Sequence, residues 1–222
     1  MIFTKDILQF LQELEQNNNR DWFHSQKKRY TNSVKEPLKA FTQVLIDEAL
    51  GEEGYLNQIE PKDCIFRINR DIRFSKDKSP YKSNLGVVIS PKGKKDNTTP
   101  GMYIEISHKH LRLYSGIYTL NKDQLSSVRE KIYENTAEFE NLISDPVFKK
   151  NFGEVRGERN KRIPKPFSEI QESCPYILNK SFYYFKEYAA ETILKTNVVE
   201  VLLKDYSKAE SLNRFLFEPI QE

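Results

Sequence analysis

The sequence predicts an α+β fold, with an antiparallel sheet in the middle of the chain flanked by N-terminal and C-terminal helices. Three observations carry this. Apolar residues recur at helical spacing from Ile7 to Ala49, switch to period two between Cys64 and Tyr114, and return to helical spacing from Asn121 onward. Strands gathered between two helical blocks make an α+β arrangement with an antiparallel sheet, since alternating βαβ units are missing.

The elements follow in order. Thr4 is expected to cap a helix carrying Ile7, Leu8, Leu11 and Leu14, and Asn17-Asn18-Asn19 ends it. A second helical region starts with Arg20-Asp21-Trp22-Phe23, where Trp22 and Phe23 are expected as core anchors and an Asn or Asp as the cap. Pro37 restarts or kinks that region, and Leu38, Phe41, Leu45 and Ala49 form a stripe ending near Gly51. Cys64, Phe66 and Ile68 alternate with Ile65, Arg67 and Asn69 as a strand, and Val87-Val88-Ile89 reads as a short buried strand. Met102, Ile104 and Ile106 continue into Leu111-Arg112-Leu113-Tyr114 through a tight turn at His108-Lys109, which sets Glu105 opposite Arg112. His-Lys is poor chemistry for a two-residue turn. Pro91 to Gly101 is a Lys/Asn/Thr/Gly loop.

Asn121-Lys122-Asp123-Gln124 resembles a capping box before a helix with Leu125, Val128 and Ile132 inside. Phe139, Leu142 and Ile143 follow on another helix, and Asp145-Pro146 opens a third. Gly153 to Pro166 is a basic loop (Arg156, Arg159, Lys161, Arg162, Lys165). Phe182 to Phe185 is β-prone, and Val198 to Leu203 and Leu212 to Leu216 are closing helices.

A chain of 222 residues with 30% charged and 12% aromatic residues is expected to fold as a single domain over residues 1–222. No apolar run approaches the roughly 20 residues of a membrane helix, so no membrane partner is expected. The start, Met1 to Asp6, lacks a signal-peptide core, and Cys64 and Cys174 form no motif; both point to reduced thiols and a cytoplasmic location.

The net charge of +3 hides an asymmetry. From Phe66 to Lys95 there are nine Lys or Arg against Asp71 and Asp77, so that segment is +7 and the remainder −4. The densest part is Phe66 to Lys82, where Arg67, Arg70, Arg73, Lys76, Lys78 and Lys82 are interleaved with Asp71, Asp77, Ser75, Ser79, Phe74 and Tyr81. Guanidinium forks and ammonium points are donors for phosphate and carboxylate, and a polar loop carried on a sheet is a usual place for binding groups. The alternative is an ion-pair network on a solvated sheet rim. Phe74 and Tyr81 either stack on a base or, the reading preferred from sequence, anchor the loop in the core. No Gly lies between Phe66 and Leu85, so this is no Gly-rich phosphate loop. His108 and His110 have chelating spacing but no Cys or carboxylate at metal spacing beside them, so no metal site is expected. The known hydrolase, zinc-protease, redox and dinucleotide motifs are missing, and the sequence leaves the cofactor unknown.

Several of these runs together resemble the conserved bacterial and fungal proteins grouped as domain of unknown function 2461. The resemblance rests on Asn18-Asn19-Arg20-Asp21-Trp22-Phe23 with Tyr30 and Pro37, and most strongly on the whole run from Phe66 to Lys82. Gly116-Ile117-Tyr118, Arg129 with Ile132, Lys161-Arg162-Ile163-Pro164-Lys165 and Lys180-Ser181-Phe182-Tyr183 follow in order. Two positions depart: Pro166 stands where the resemblance leads one to expect Gly, and Thr119-Leu120 where it leads one to expect Pro. The resemblance implies no activity. It does imply that the cations of the central run form a site.

The expected function is therefore binding of a phosphorylated or otherwise polyanionic ligand, with catalysis as an open extension. The expected site is Arg67, Arg70, Asp71, Arg73, Ser75, Lys76, Asp77, Lys78, Tyr81 and Lys82, with the loop from Arg156 to Lys165 as its complement. An anionic small molecule and a nucleic acid are the two partner classes. A single-stranded nucleic-acid module would need Phe74 or Tyr81 exposed beside the cations. A protein-interaction or structural domain would pair every charge internally. Asp71 and Asp77 are expected to be ionised and to orient the cations or ligate metal, not to act as general bases. Asp71 is expected to be buried and paired.

Overall fold

Leu and Phe at helical intervals set the first element of the computed structural model, which describes residues 2–49, 59–95, 99–163, 165 and 167–220. Helix α1 (Asp6–Gln16) buries Ile7, Phe10, Leu11 and Leu14. Thr4 does not cap it through its hydroxyl; its carbonyl accepts from the Ile7 N–H at 3.2 Å. The chain breaks at the asparagines and re-enters helix at α2 (Arg20–Ser25), where the Asn19 side chain accepts from the Trp22 N–H at 2.9 Å. α3 (Lys27–Tyr30) passes through a π turn, Thr31–Lys35, into α4 (Glu36–Ala49). Pro37 lacks the N–H that would continue the α ladder, and the π turn covers Ser33, whose carbonyl would have received it. The expected helix end near Gly51 lies outside the described residues.

Cys64 is not in a strand. Pro61 at the first helical position and a reciprocal cap between Glu60 and Asp63 make a short helix, α5 (Pro61–Cys64), of it and its neighbours. The strands are β1 (Asn84–Ile89), β2 (Met102–Ser107), β3 (His110–Ile117) and β4 (Phe182–Ala189), in one antiparallel sheet ordered β1-β2-β3-β4. The β2–β3 turn solves its poor His-Lys chemistry through Ser107. Its hydroxyl oxygen accepts from the Lys109 and His110 N–H groups at 3.2 and 3.0 Å and donates to the His110 carbonyl at 3.0 Å. Glu105 and Arg112 meet as the alternation requires, at 3.4 Å. Of the loop from Pro91 to Gly101, residues 96–98 lie outside the described ones.

The chain divides into two compact units. The first comprises Met1–Lys94, Tyr103–Leu113 and Glu187–Leu203. Its core is aromatic: Phe3 against Phe41 at 5.3 Å, and Phe10 against Trp22, Phe23 and Tyr30 at 5.6, 6.4 and 5.7 Å. Trp22 is only half-buried, so Phe23 and not Trp22 is the full anchor.

The second unit comprises Lys95–Met102, Tyr114–Lys186 and Lys204–Glu222. It contains α6 (Lys122–Glu134), whose capping box is complete in both directions, α7 (Thr136–Ser144), and α8 (Pro146–Phe152), capped by Asp145. Of the closing helices, α9 (Val198–Tyr206) enters it at Lys204 and α10 (Glu210–Phe217) lies within it. Phe139, Phe148, Phe152, Phe182, Tyr184 and Phe215 fill its core. Tyr184 is fully buried and donates its hydroxyl to Asn213 Oδ1 at 2.6 Å, which gives the buried phenol a partner. Buried Arg129 donates to the carbonyls of Ile177 and Asn179 at 3.0 and 3.1 Å, and its burial holds its pKa below the ordinary arginine value. Among the described residues no helix is long and apolar enough to cross a membrane.

Candidate anion-binding loop

The run from Phe66 to Lys82 folds back on itself within the first unit. The Phe66 N–H donates to the Gly86 carbonyl at 2.9 Å, Lys82 N–H to Ile68 at 2.8 Å, and Arg70 N–H to Pro80 at 2.9 Å. Antiparallel bridges join Ile65 to Val87 and Asn69 to Tyr81. Two limbs thus present the polar residues 71–79 as a loop, as the sequence predicts.

Burial comes from the limbs. Ile68 and Tyr81 are 7% and 5% exposed, and the Tyr81 ring stacks on Phe23 at 4.0 Å. The Asn18 amide holds the Tyr81 backbone, donating to its carbonyl at 3.0 Å and accepting from its N–H at 3.1 Å. Asn18 therefore neither caps a helix nor faces outward.

The two aspartates organise the loop. Asp77 accepts from the Ser79 N–H at 2.9 Å, from the Ser79 hydroxyl at 2.6 Å and from the Arg70 guanidinium. The Ser79 bonds first, and Arg70 after them, hold its carboxyl far below the usual range. Asp71 accepts from Arg73 Nε at 3.0 Å and its terminal nitrogen at 2.7 Å. That bond, the Arg73 N–H and the charge of Arg67 lower its pKa in turn. Lys78 donates to the Ile72 carbonyl at 2.9 Å.

Other members of the run are unpartnered. Arg67, Ser75 and Lys76 form no hydrogen bond or ion pair among the described residues. The Lys82 ammonium lies 5.5 Å from the Phe66 ring with no carboxylate on it. Burial, and secondly the like charge of Arg67, lower its pKa.

Two expectations fail here. Phe74 is not a core anchor: it is 94% exposed, with the Arg73 guanidinium 5.8 Å from its ring. Asp71 is paired but lies at the surface. The reason is common to both. Ile68 and Tyr81 already anchor the limbs, so nothing draws the loop tip inward.

His108 and His110 meet different carboxylates, Glu15 at 3.1 Å and Glu105 at 2.9 Å. No group of three His, Cys, Asp or Glu that could hold a metal occurs among the described residues. The second basic run, from Arg156 to Lys165, belongs to the second unit; Pro166, the expected departure from Gly, lies outside the described residues.

The run that forms the two limbs, with the Asn18 segment that grips it, sits inside a match to the family described as conserved hypothetical protein, DUF2461, over residues 6–215. The chain belongs to the DUF2461 family. No curated protein matches it. In this DUF2461 protein the two runs that carried the resemblance are one structure: the segment around Asn18 and Phe23 grips the far limb of the charged loop at Tyr81. No signal in the sequence pairs Asn18 with Tyr81, because the two are linked by a backbone clamp and not by complementary charge.

Proposed function

We propose that this DUF2461 protein binds a phosphorylated or otherwise polyanionic ligand on the loop from Arg67 to Lys82. The observation that supports this most is that neither Arg67 nor Lys82 forms an ion pair among the described residues, although burial first and the charge of Arg67 second lower the Lys82 pKa; the carboxylate that feels Arg67, Asp71, is bonded to Arg73. Cations that share no bonded carboxylate favour an incoming anion. Lys76 adds a third cation that forms no ion pair among the described residues.

The paired cations are also available. Arg70–Asp77 and Arg73–Asp71 are surface ion pairs. Such pairs are worth about 0–1 kcal/mol, whereas hydrogen bonds from cations to a multiply charged anion are worth about 1.5–3 kcal/mol. A phosphoryl group can therefore take over these guanidinium groups while Ser79 retains Asp77. Strongly ionised aspartates are poor proton acceptors near neutral pH, so the reading assigns Asp77 an orienting role, treats Asp71 as a surface counter-ion that Arg73 exchanges for the ligand, and claims no catalytic base. It places the protein in the cytoplasm, where the free, buried Cys64 and Cys174 stay reduced.

A second reading, a single-stranded nucleic-acid module, is favoured by the exposed ring of Phe74 beside Arg73. The experiment is calorimetric titration with inorganic phosphate, pyrophosphate and tripolyphosphate, then with labelled oligo(dT). The first reading expects affinity to rise with phosphate number and to fall in Arg67→Ala/Lys82→Ala; oligo(dT) affinity that falls in Phe74→Ala supports the second. No binding of either probe at low salt removes both.

A further inference from the structure

We infer that the outward face of β3 and β4 in the second unit is a stacking platform for single-stranded nucleic acid, independent of the loop from Arg67 to Lys82. Strand alternation sets it up. Ser115 and Ile117 of β3 and Phe182 and Tyr184 of β4 point into the core, so Tyr114, Tyr183 and Phe185 lie on the other face, each half-buried. Tyr118, just past β3, extends the row and is 75% exposed. The rings form a chain: Tyr118 to Tyr183 at 5.3 Å, Tyr183 to Tyr114 at 6.5 Å, Tyr114 to Phe185 at 4.9 Å. The Arg156 guanidinium covers Phe185 at 4.2 Å.

The edge of this face is basic. The segment beginning at Arg156 runs beside β4 as an additional edge. The Arg156 N–H donates to the Tyr183 carbonyl at 2.7 Å, the Tyr183 N–H to Arg156 at 3.0 Å, the Lys180 N–H to Glu158 at 2.7 Å and the Asn160 N–H to Leu178 at 2.8 Å. Glu154 lies 3.8 Å from Arg156, and Glu158 pairs with Lys180 at 2.8 Å. Arg159 is engaged away from this face: it donates to buried Asn179 at 3.2 Å and lies 5.7 Å from the Tyr176 ring, which packs on the core. Lys161 and Arg162 are exposed and form no ion pair among the described residues. The strand edge thus carries a surplus of positive charge beside a row of rings.

Cross-strand aromatic pairs by themselves stabilise a sheet. That accounts for Tyr114 with Phe185. It does not account for an exposed ring beyond the strand end, or for unpaired cations along the adjoining edge. A polyanion whose π-faces are free satisfies both features, and that is a single strand; a duplex hides its base faces. Bases would stack on Tyr118 and Tyr183 while phosphates follow Lys161 and Arg162.

The test is fluorescence anisotropy of labelled oligo(dT), and of a duplex of equal length, across a salt series. The parent protein should prefer the single strand. Tyr118→Ala, at an exposed position that leaves folding intact, should weaken binding about five- to hundredfold, the effect of one base–aromatic stack, and Tyr118→Phe should restore it. Replacing Lys161 and Arg162 by Ala should flatten the salt slope. Parent affinity in Tyr118→Ala, equal binding of duplex, or no binding at low salt would each overturn the inference. So would a loss of oligonucleotide binding in Arg67→Ala/Lys82→Ala with Tyr118→Ala unchanged, since that places the strand on the loop.

Discussion

The side-chain amide of Asn18 satisfies both backbone polar groups of Tyr81, donating to the carbonyl at 3.0 Å and accepting from the N–H at 3.1 Å. This pair fixes one limb of the charged loop to the segment between α1 and α2. Asn18→Ala leaves two partly buried backbone groups without partners, each worth about 0.5–1.5 kcal/mol, so the variant should lose roughly 1–3 kcal/mol. Denaturant unfolding measures this, and an Asn18→Ala midpoint equal to the parent's would show that the clamp contributes nothing.

A second relationship holds the N-terminal helices. Arg29 of α3 bridges Asp6 and Glu13 of α1 at 2.6 and 2.5 Å. Its hydrogen bonds are the largest cause lowering both carboxyl pKa values. A lowered carboxyl contributes stability that is fully present above its unfolded value and fades as the pH falls through its folded value. The parent should therefore lose stability in acid from about pH 4.5 downward, the ordinary glutamate value. Arg29→Leu should flatten that acid limb and cost about 1 kcal/mol near neutral pH, since the pair is only partly shielded. Parallel acid limbs for both proteins would contradict the assignment.

How much of this was legible in the sequence depends on how local the signal is. The Asn121 capping box, the Asp145-Pro146 start and the β2–β3 alternation are local patterns, and each appears where the spacing predicts. The polar loop between Asn69 and Tyr81 was equally visible, because a charge run inside a β region has few other homes. Cys64 misled, since alternation over so few residues is weaker than the Pro61 and Glu60–Asp63 start signals just before it. Phe74 misled for another reason: apolar residues usually go inside, but Tyr81 and Ile68 had already filled the anchoring positions. The ring row on β3 and β4 is non-local and emerges only when Tyr114, Tyr118 and Tyr183 are brought side by side.

Asp71 gives a prediction with a sign opposite to that of a structural aspartate. It lies at the surface and occupies Arg73. Asp71→Asn should leave thermal unfolding unchanged and release a guanidinium for the ligand, raising tripolyphosphate affinity by roughly threefold at low salt. A drop in affinity would mean that Asp71 contacts the ligand or a bridging metal.

Gly116 fixes the geometry of the strand pair in the second unit. Its φ is +90°, and a Cβ there would lie 2.2 Å from the Phe182 carbonyl oxygen. Since that neighbour is backbone, it cannot swing aside. Gly116→Ala should cost at least about 2 kcal/mol, from the forced conformation and the clash together. Thermal unfolding of the variant checks this, and an unchanged melting temperature would contradict the strand geometry described.

The most direct test of the proposed function is titration of tripolyphosphate into the parent and into Arg67→Ala/Lys82→Ala, both confirmed folded by circular dichroism. Binding by the unpaired cations predicts saturable binding at one site in the parent, weakening with salt, and at least about tenfold lower affinity in the double variant. Equal affinity in the two proteins, or no binding by the parent at low salt, would contradict it.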